Sequence, residues 1–328
     1  MDLRPEISVV VPIYNEEDNL QDLYQQLTDS LEALGRPYEI ILVDDGSTDN
    51  TPARLIEIET RDSRVRVLRL RRNFGQTPAF SAGFDHARGD VVVTSDGDLQ
   101  NDPADIPLLL ARIDEGYDMA CGWRRDRRDP LSKRWPSFFA NRLISWATGV
   151  HLHDYGCSLK AIRSDVVKHL RLYGEMHRFI PAVASWMGVS LAEVPVNHRP
   201  RTRGRSKYGL GRTVRVLLDL FTVKFLLAYG TRPAHLFGLM GLLSGGAGFL
   251  ILLHLAYIRL FQDTAIGGRP LLSLGVLLFL TGVILVSFGL VAELLVRTYH
   301  ESQGKPIYMV REIKPARERE AEPVLPGR

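Results

Sequence analysis

The sequence predicts an α/β protein in which a doubly wound, mostly parallel sheet is followed by a two-helix membrane hairpin. Three observations carry that expectation. From residue 7 to about 122, β-branched runs alternate with polar helical stretches across short connections, as in a parallel sheet covered by helices. Carboxylates gather where those runs end. Toward the C-terminus, Leu236–Ile258 and Leu271–Ala292 contain no Lys, Arg, Asp or Glu.

Ile7–Ile13 is β-branched and apolar and reads as the first strand, with a polar helix over Glu17–Leu34. Tyr38–Val43 is the second strand, ending at Asp44-Asp45-Gly46-Ser47-Thr48-Asp49. Thr51-Pro52 marks the first turn of a helix reaching Thr60. Val65–Leu70 is the third strand and Ala79–Ala87 a helix. Val91-Val92-Val93, after Arg88-Gly89-Asp90, is a buried fourth strand leading to Asp96-Gly97-Asp98-Leu99-Gln100. In a parallel sheet these C-terminal ends share one edge, where open α/β sheets bind ligands.

Three polar clusters therefore meet on that edge: Tyr14-Asn15-Glu16, Asp44-Asp45 and Asp96-x-Asp98. Carboxylates there can accept hydrogen bonds from a base N–H or a ribose hydroxyl. Asp96 and Asp98, one residue apart, repel unless a cation neutralises them. With the Gln100 amide they form an all-oxygen set suited to Mg²⁺ or Mn²⁺ held jointly with substrate phosphates. Taken alone, the motif also fits a solvated Asp-Gly-Asp turn. No G-x-G-x-x-G follows the first strand and no G-x-x-x-x-G-K-[ST] occurs, so the hydride-transfer and kinase fingerprints are missing.

The 41 Lys and Arg against 38 Asp and Glu leave a formal charge of +3, and nothing in that balance calls for nucleic acid. Cys121 and Cys157 are the only cysteines, which excludes a disulfide scaffold or a Cys-ligated zinc site. The polar opening Met1-Asp2-Leu3-Arg4-Pro5-Glu6 reads as lacking a signal peptide. Each uncharged stretch spans about 33 Å as a helix, the thickness of a bilayer core. Lys224, Arg232, Arg297, Lys305, Arg311, Lys314, Arg317 and Arg319 lie on the side away from the Gly267-Gly268-Arg269-Pro270 turn. The positive-inside rule then places both termini in the cytoplasm, on a multi-pass inner-membrane protein. His254 and Glu293 are assigned no chemistry. Gly241-x-x-x-Gly245 and Ser244-x-x-x-Gly248 offer small faces for close packing.

Val11-Pro12-Ile13-Tyr14-Asn15-Glu16, Val43-Asp44-Asp45-Gly46-Ser47-x-Asp49 and Asp96-Gly97-Asp98-Leu99-Gln100-Asn101-Asp102-Pro103 together resemble glycosyltransferase family 2, of the GT-A fold. Arg72-Asn73-Phe74-Gly75-Gln76, Arg205-Ser206-Lys207-Tyr208 and the two-helix tail narrow the resemblance to the polyprenyl-phosphate glycosyltransferases, over about residues 7 to 311. The resemblance implies that Pro12, Tyr14, Glu16, Asp44 and Asp45, with Asn73, Gln76 and Asp96, hold the donor nucleotide. It gives the metal to Asp96, Asp98 and Gln100. Gly97 stands where the family often has Ala, and Asp102-Pro103 where Pro-Pro or His-Pro is frequent. Tetramers occur in the family, so a homo-oligomer is expected.

The acceptor side rests on cations. Arg124, Arg125, Arg127, Arg128, Lys133 and Arg134 form one cluster, of which Arg124 follows an expected strand end. Arg199, Arg201, Arg203, Arg205 and Lys207 alternate at period two, so an extended backbone shows all five on one face. Either cluster can face anionic lipid heads. Arg205, Ser206 and Lys207 match the family motif and are expected, with Arg124, to bind a phosphate. Trp135, Phe138, Phe139, Leu143 and Trp146 fall at helical spacing and fit either a core or an interfacial helix. Asp154, in His153-Asp154-Tyr155-Gly156-Cys157-Ser158, is a candidate base or positioning group beside the acceptor.

The expected organisation is a cytoplasmic GT-A catalytic domain over 1–209 and interfacial amphipathic helices over 210–232. Two transmembrane helices over 233–296 follow, then a cytoplasmic segment over 297–328 that is disordered at its end. The expected activity is metal-dependent, inverting transfer of one sugar from a nucleotide diphosphosugar to a polyprenyl phosphate. Two alternatives stay open: a processive polysaccharide synthase and a non-catalytic membrane scaffold. The synthase lacks its Q-x-x-R-W, since Leu131 stands near where Gln is required before Trp135.

Overall fold

The computed structural model describes residues 4–125, 141–142, 144–145, 148–170, 172, 176–200, 225, 233–262 and 265–303. The two expected interfacial helices lie largely outside these residues, as do Arg205, Ser206 and Lys207.

Seven strands form one mixed sheet: β1 (Ile7–Ile13), β2 (Tyr38–Asp44), β3 (Val65–Arg69), β4 (Val91–Thr94), β5 (Met119–Trp123), β6 (Lys160–Arg163) and β7 (Leu191–Pro195). Their order is β3-β2-β1-β4-β6-β5-β7. β1 pairs in parallel with β2 and β4, setting Ile13 opposite Asp44 and Val10 opposite Thr94. The three expected carboxylate-bearing ends thus lie side by side. β6 runs antiparallel to both β4 and β5, and this reversal brings Lys160 opposite Thr94.

Side chains alternate across the sheet, and each face has its own core. Val9, Val11 and Ile13 pack with α1 (Leu20–Glu32), α2 (Thr51–Arg61) and α4 (Ile106–Asp114) through Leu23, Leu27, Leu55 and Leu109. Val10, Ile41 and Val92 pack with α3 (Gln76–His86), α5 (Ser164–His169) and α6 (Ile180–Trp186) through Phe80, Val166 and Ile180. α1 starts at Leu20 rather than Glu17 because residues 16 and 17 are tied to the β2–α2 loop. The Glu16 N–H donates to Thr51 Oγ1 at 3.0 Å and the Glu17 N–H to Asp49 Oδ2 at 3.5 Å. α3 begins at Gln76, three residues before the expected start, and that puts Gln76 in its first turn. At Gly83 a Cβ would stand 2.2 Å from Val10 Cγ1, so the missing side chain lets α3 lie close on β1.

His177 is buried, and its Nδ1 shares a 2.7 Å hydrogen bond with Thr77 Oγ1. Burial, aided by the Arg178 and Lys160 cations, pushes its imidazole down to about 3. The unfolded chain takes up this proton near pH 6.5, whereas the folded chain resists it until about pH 3. The group's contribution to stability is therefore complete above pH 6.5 and is lost as pH falls, by about 1.4 kcal/mol per pH unit. His177→Asn is expected to flatten the fall in unfolding free energy between about pH 6 and pH 4, as followed by denaturant titration. An unchanged slope would mean that His177 titrates normally in the folded protein.

α7 (Pro233–Phe261) and α8 (Pro270–Gln303) are antiparallel and long and apolar enough to cross a membrane, with mean hydropathies of 2.1 and 2.6 in their most apolar windows. Leu242, Leu243, Leu250, Leu260, Leu277 and Ile284 are more than 60% exposed, a surface suited to lipid rather than water. The small residues are used inside this hairpin. A Cβ on Gly241 would meet the Gly282 carbonyl at 2.7 Å, and one on Gly248 the Phe279 nitrogen at 2.4 Å. Ser244 Oγ donates to the Leu278 carbonyl at 2.9 Å. The small faces read from the sequence are thus packed against the chain's own second helix. Glu293 Oε2 accepts the Ala234 N–H at 3.4 Å, closing the two ends of the hairpin together.

Candidate active site

The candidate donor edge is built from the ends of β1, β2 and β4. Pro12 lies within β1, and Tyr14, Asn15 and Glu16 follow it, all partly exposed. Asn15 has φ 51° and is fixed there from three sides. Its N–H donates to Ser47 Oγ at 3.0 Å, its Nδ2 to Thr48 Oγ1 at 3.3 Å, and its Oδ1 accepts the Thr48 N–H at 2.8 Å. Asp44 is fully buried. Its Oδ1 accepts the Ser47 N–H at 2.9 Å, while Oδ2 has no hydrogen-bond partner and lies 3.4 Å from Arg69 Nε. A buried acceptor left in this state is costly, and the nearby Arg69 cation offsets part of that cost.

Asp45 has a different task. Its Oδ1 and Oδ2 accept the Phe74 and Gly75 N–H groups at 2.8 and 2.9 Å. Burial raises its carboxyl above the usual range, with neighbouring Asp44 adding to the rise and the two backbone donors opposing it. The carboxylate therefore holds the loop that carries Asn73, exposed, and Gln76. Gly46 allows the loop to approach: it has φ +70°, and a Cβ there would stand 2.4 Å from the Arg72 carbonyl carbon. Gln76 Nε2, placed by this loop and by the early start of α3, donates to Asp96 Oδ1 at 2.6 Å.

Asp96 and Asp98 follow β4 in a turn where Leu99 has φ 61° and is buried in the core. That strain is tolerated because Leu99 packs inward and Asp98 Oδ1 accepts the Gln100 N–H at 3.2 Å. Burial and the Asp98 carboxylate push Asp96 up, while a hydrogen bond from Ser158 and the Lys160 and Arg124 cations pull it down. Among the described residues no group of three or more His, Cys, Asp or Glu could hold a metal. The pair with Gln100 still fits a hard divalent ion: their repulsion calls for a cation, and the remaining ligands are what diphosphate oxygens supply. A Cβ on Gly97 would stand 2.7 Å from Ile13 Cδ1 and 3.2 Å from the Pro12 carbonyl oxygen, so the Ala frequent in the resembled family would require the far end of Ile13 to shift.

The third part of the site follows β5. Arg124 Nε and Nη2 donate to Asp154 Oδ2 and Oδ1 at 2.6 and 2.9 Å, a bidentate pair whose side chains are only 15% and 3% exposed. Burial by itself would lower Arg124, but its bonds to Asp154 more than offset this and hold the guanidinium charged. Asp154 Oδ1 also accepts the Gly156 N–H at 3.0 Å, and a Cβ on Gly156 would come within 3.0 Å of Arg124 Nη2. Glu193 supports the pair from β7, its Oε1 accepting the His153 and Asp154 N–H groups at 2.8 and 3.1 Å. Burial pushes the Cys121 and Cys157 thiols up to about 12 and about 11, so neither supplies a thiolate.

Comparison with known proteins gives this chain a family. The model of glycosyl transferase family 2 matches residues 8–171. A dodecaprenyl-phosphate galacturonate synthase of Rhizobium johnstonii is 45% identical over 313 residues, covering 94% of this chain and 93% of the relative. The chain belongs to glycosyl transferase family 2. An undecaprenyl-phosphate 4-deoxy-4-formamido-L-arabinose transferase of Pseudomonas paraeruginosa is 39% identical over 309 residues, covering 94% of this chain and 90% of that protein. The fold agrees with a glucosyl-3-phosphoglycerate synthase of Mycobacterium tuberculosis solved with Mn²⁺ and uridine diphosphate, at TM-score 0.52 and 21% identity over 68% of this chain and 80% of that one. This family 2 chain is a glycosyltransferase with a GT-A sheet and a C-terminal two-helix hairpin.

Within this glycosyltransferase, the structure brings Pro12, Tyr14, Glu16, Asp44, Gln76, Asp96, Asp98 and Gln100 to one edge, and places Arg124 and Asp154 beside it. Sequence reasoning missed Ser158, Lys160 and Glu193, which reach the site only through the antiparallel β6 and distant β7. It also left Asp102 uninterpreted. Asp102 caps the turn before α4 by accepting the Ala104 N–H at 3.1 Å and pairs with Arg199 at 2.7 Å. Arg199 in turn donates to Gln26 Oε1 at 2.6 Å, and its N–H to the Gln100 carbonyl at 3.0 Å. The first member of the alternating basic series is thereby tied to the Asp98–Gln100 loop.

Proposed function

We propose that this glycosyltransferase moves a single sugar from a nucleotide diphosphosugar to a polyprenyl phosphate at the cytoplasmic face of the inner membrane, inverting the anomeric centre. The observation that supports this most is Arg124, a buried and pre-aimed guanidinium whose charge interacts with Asp96 across the donor edge. The membrane-length hairpin and relatives named for dodecaprenyl and undecaprenyl phosphates point to the same acceptor class.

In this reading Pro12, Tyr14, Glu16 and Asp44 hold base and ribose, and Asp45 acts through the loop that carries Asn73 and Gln76. Gln76 and Ser158 fix the orientation of Asp96. Asp96, Asp98 and Gln100 would hold a Mg²⁺ or Mn²⁺, which would supply Lewis-acid neutralisation of the diphosphate. Arg124 receives the lipid phosphate together with Arg205, Ser206 and Lys207. A phosphate monoester has a second pKa near 6, so near neutral pH it is already a dianionic nucleophile. One of its oxygens forms the new bond to the anomeric carbon as the bond to the diphosphate breaks on the opposite face. Asp154 then serves to orient Arg124 rather than to remove a proton.

The test is to incubate the detergent-purified protein with undecaprenyl phosphate, Mn²⁺ and a panel of UDP- and GDP-sugars that includes a uronic acid and a 4-formamido pentose. Release of nucleoside diphosphate from one donor, dependent on both lipid and metal, is expected. Lipid-independent release, or none from any donor, would overturn the reading. Lys207→Ala is expected to raise the KM for lipid by about tenfold or more, the loss of one phosphate contact of about 1.5 kcal/mol, while the donor KM stays nearly constant. A larger change in the donor KM would relocate the lipid phosphate.

A further inference from the structure

Lys160 is a charged residue in the sheet interior that the reaction outlined above does not use. It opens β6, opposite Thr94 of β4 and Cys121 of β5, and is only 3% exposed. A lysine is rarely buried so completely without a specific partner. Its Nζ donates to the Cys157 carbonyl, and its charge bears on Asp96, Cys121, Cys157 and His177.

The carbonyl it grips lies in a five-residue turn, 154–158, whose two ends serve the two substrates. At one end Asp154 holds Arg124 bidentately and the Gly156 N–H returns to Asp154. At the other end Ser158 hydrogen-bonds Asp96 and accepts from Asn101 Nδ2 at 2.7 Å. Two further bonds join this stretch to the sheet: Thr94 Oγ1 donates to the Ser158 carbonyl at 2.5 Å and, just past the turn, the Gly122 N–H to the Leu159 carbonyl at 2.9 Å. Lys160 holds the centre.

We propose that Lys160 is a positioning residue: by gripping the Cys157 carbonyl it sets the spacing between the acceptor-side Arg124 and the donor-side Asp96. Displacing reacting groups by about 1 Å can cost about a hundredfold in rate without weakening binding of either substrate. The buried ammonium is retained for this geometry, since an apolar side chain of similar size at a buried ionic site is often neutral or stabilising.

The proposal rests on the transferase reading, so two measurements are paired, one independent of turnover. Amide hydrogen exchange over residues 154–159 is expected to accelerate tenfold or more in Lys160→Met and to stay near wild type in Lys160→Arg, which can still donate to the carbonyl. Unchanged exchange in Lys160→Met overturns the proposal, even if no donor in the panel supports turnover. With an active donor, Lys160→Met is expected to lose about thirtyfold or more in kcat, with both KM values within threefold of wild type. Lys160→Arg should recover most of that loss. A kcat retained in Lys160→Met, or equal losses in both variants, overturns it. Should Lys160→Met fail to fold, Thr94→Val loosens the same turn without touching a charge. It is expected to lower kcat about tenfold at constant KM, and an unchanged kcat overturns the proposal.

Discussion

Asp98→Asn is expected to abolish sugar transfer while leaving the fold intact. The substitution removes one negative charge and little else, because an Asn Oδ1 can still accept the Gln100 N–H that Asp98 Oδ1 accepts at 3.2 Å. The turn with Leu99 at φ 61° therefore survives, and a melting temperature within about 2 °C of wild type is expected, a change well under 1 kcal/mol. In the proposed reading Asp96 alone would hold a divalent ion, and through it the diphosphate, less firmly than the two carboxylates together. A loss of a thousandfold or more in kcat is expected, about 4 kcal/mol of transition-state stabilisation. Nucleotide release with undecaprenyl phosphate and Mn²⁺ checks it. Substantial retained activity would remove the metal role from Asp98.

The second large effect concerns the Arg124–Asp154 pair. Asp154→Ala strands a guanidinium that is 15% exposed and is expected to destabilise the protein by about 3–5 kcal/mol, as for other broken buried pairs. Removing both charges together, in Arg124→Met with Asp154→Leu, is expected to restore most of that stability, since no buried charge is left unpaired. In the proposed reading activity should not return, because the guanidinium that would receive the phosphate is gone. Denaturant unfolding of both variants, paired with the transfer assay, separates the two contributions. Recovery of activity in the double variant would make Arg124 purely structural. Failure of the double variant to regain stability would show that the surrounding turn depends on the pair for its shape.

Much of the donor edge could be read directly from the chain. β-branched runs announce buried strands, and in a parallel sheet their ends must share an edge; Tyr14, Asp44 and Asp96 could be grouped on that rule alone. The membrane hairpin was equally legible, because a stretch of twenty-two residues without charge leaves few alternatives. What could not be read was which carboxylate does what. Asp44 and Asp45 are adjacent, yet one keeps an oxygen without a hydrogen bond and the other spends both oxygens on the Phe74 and Gly75 amides. Strand alternation turns neighbours to opposite sides, and the loop that Asp45 meets is 29 residues away in sequence. The small residues of α7 were legible as a packing surface but not as one already filled by α8.

The sequence by itself determined the fold class, the carboxylate edge and the two long apolar helices, because each follows from local periodicity or from residue types a few positions apart. Only the tertiary structure decided how Arg124 is joined to the carboxylate edge. Arg124, Asp154, Ser158, Lys160 and Glu193 come from β5, β6, β7 and a turn, and they meet because β6 reverses direction between β4 and β5. Strand reversal in a mixed sheet depends on long-range pairing that no local pattern encodes. The electrostatics followed from the same fact: burial made the Arg124–Asp154 pair strong and left Lys160 with a backbone carbonyl to hold.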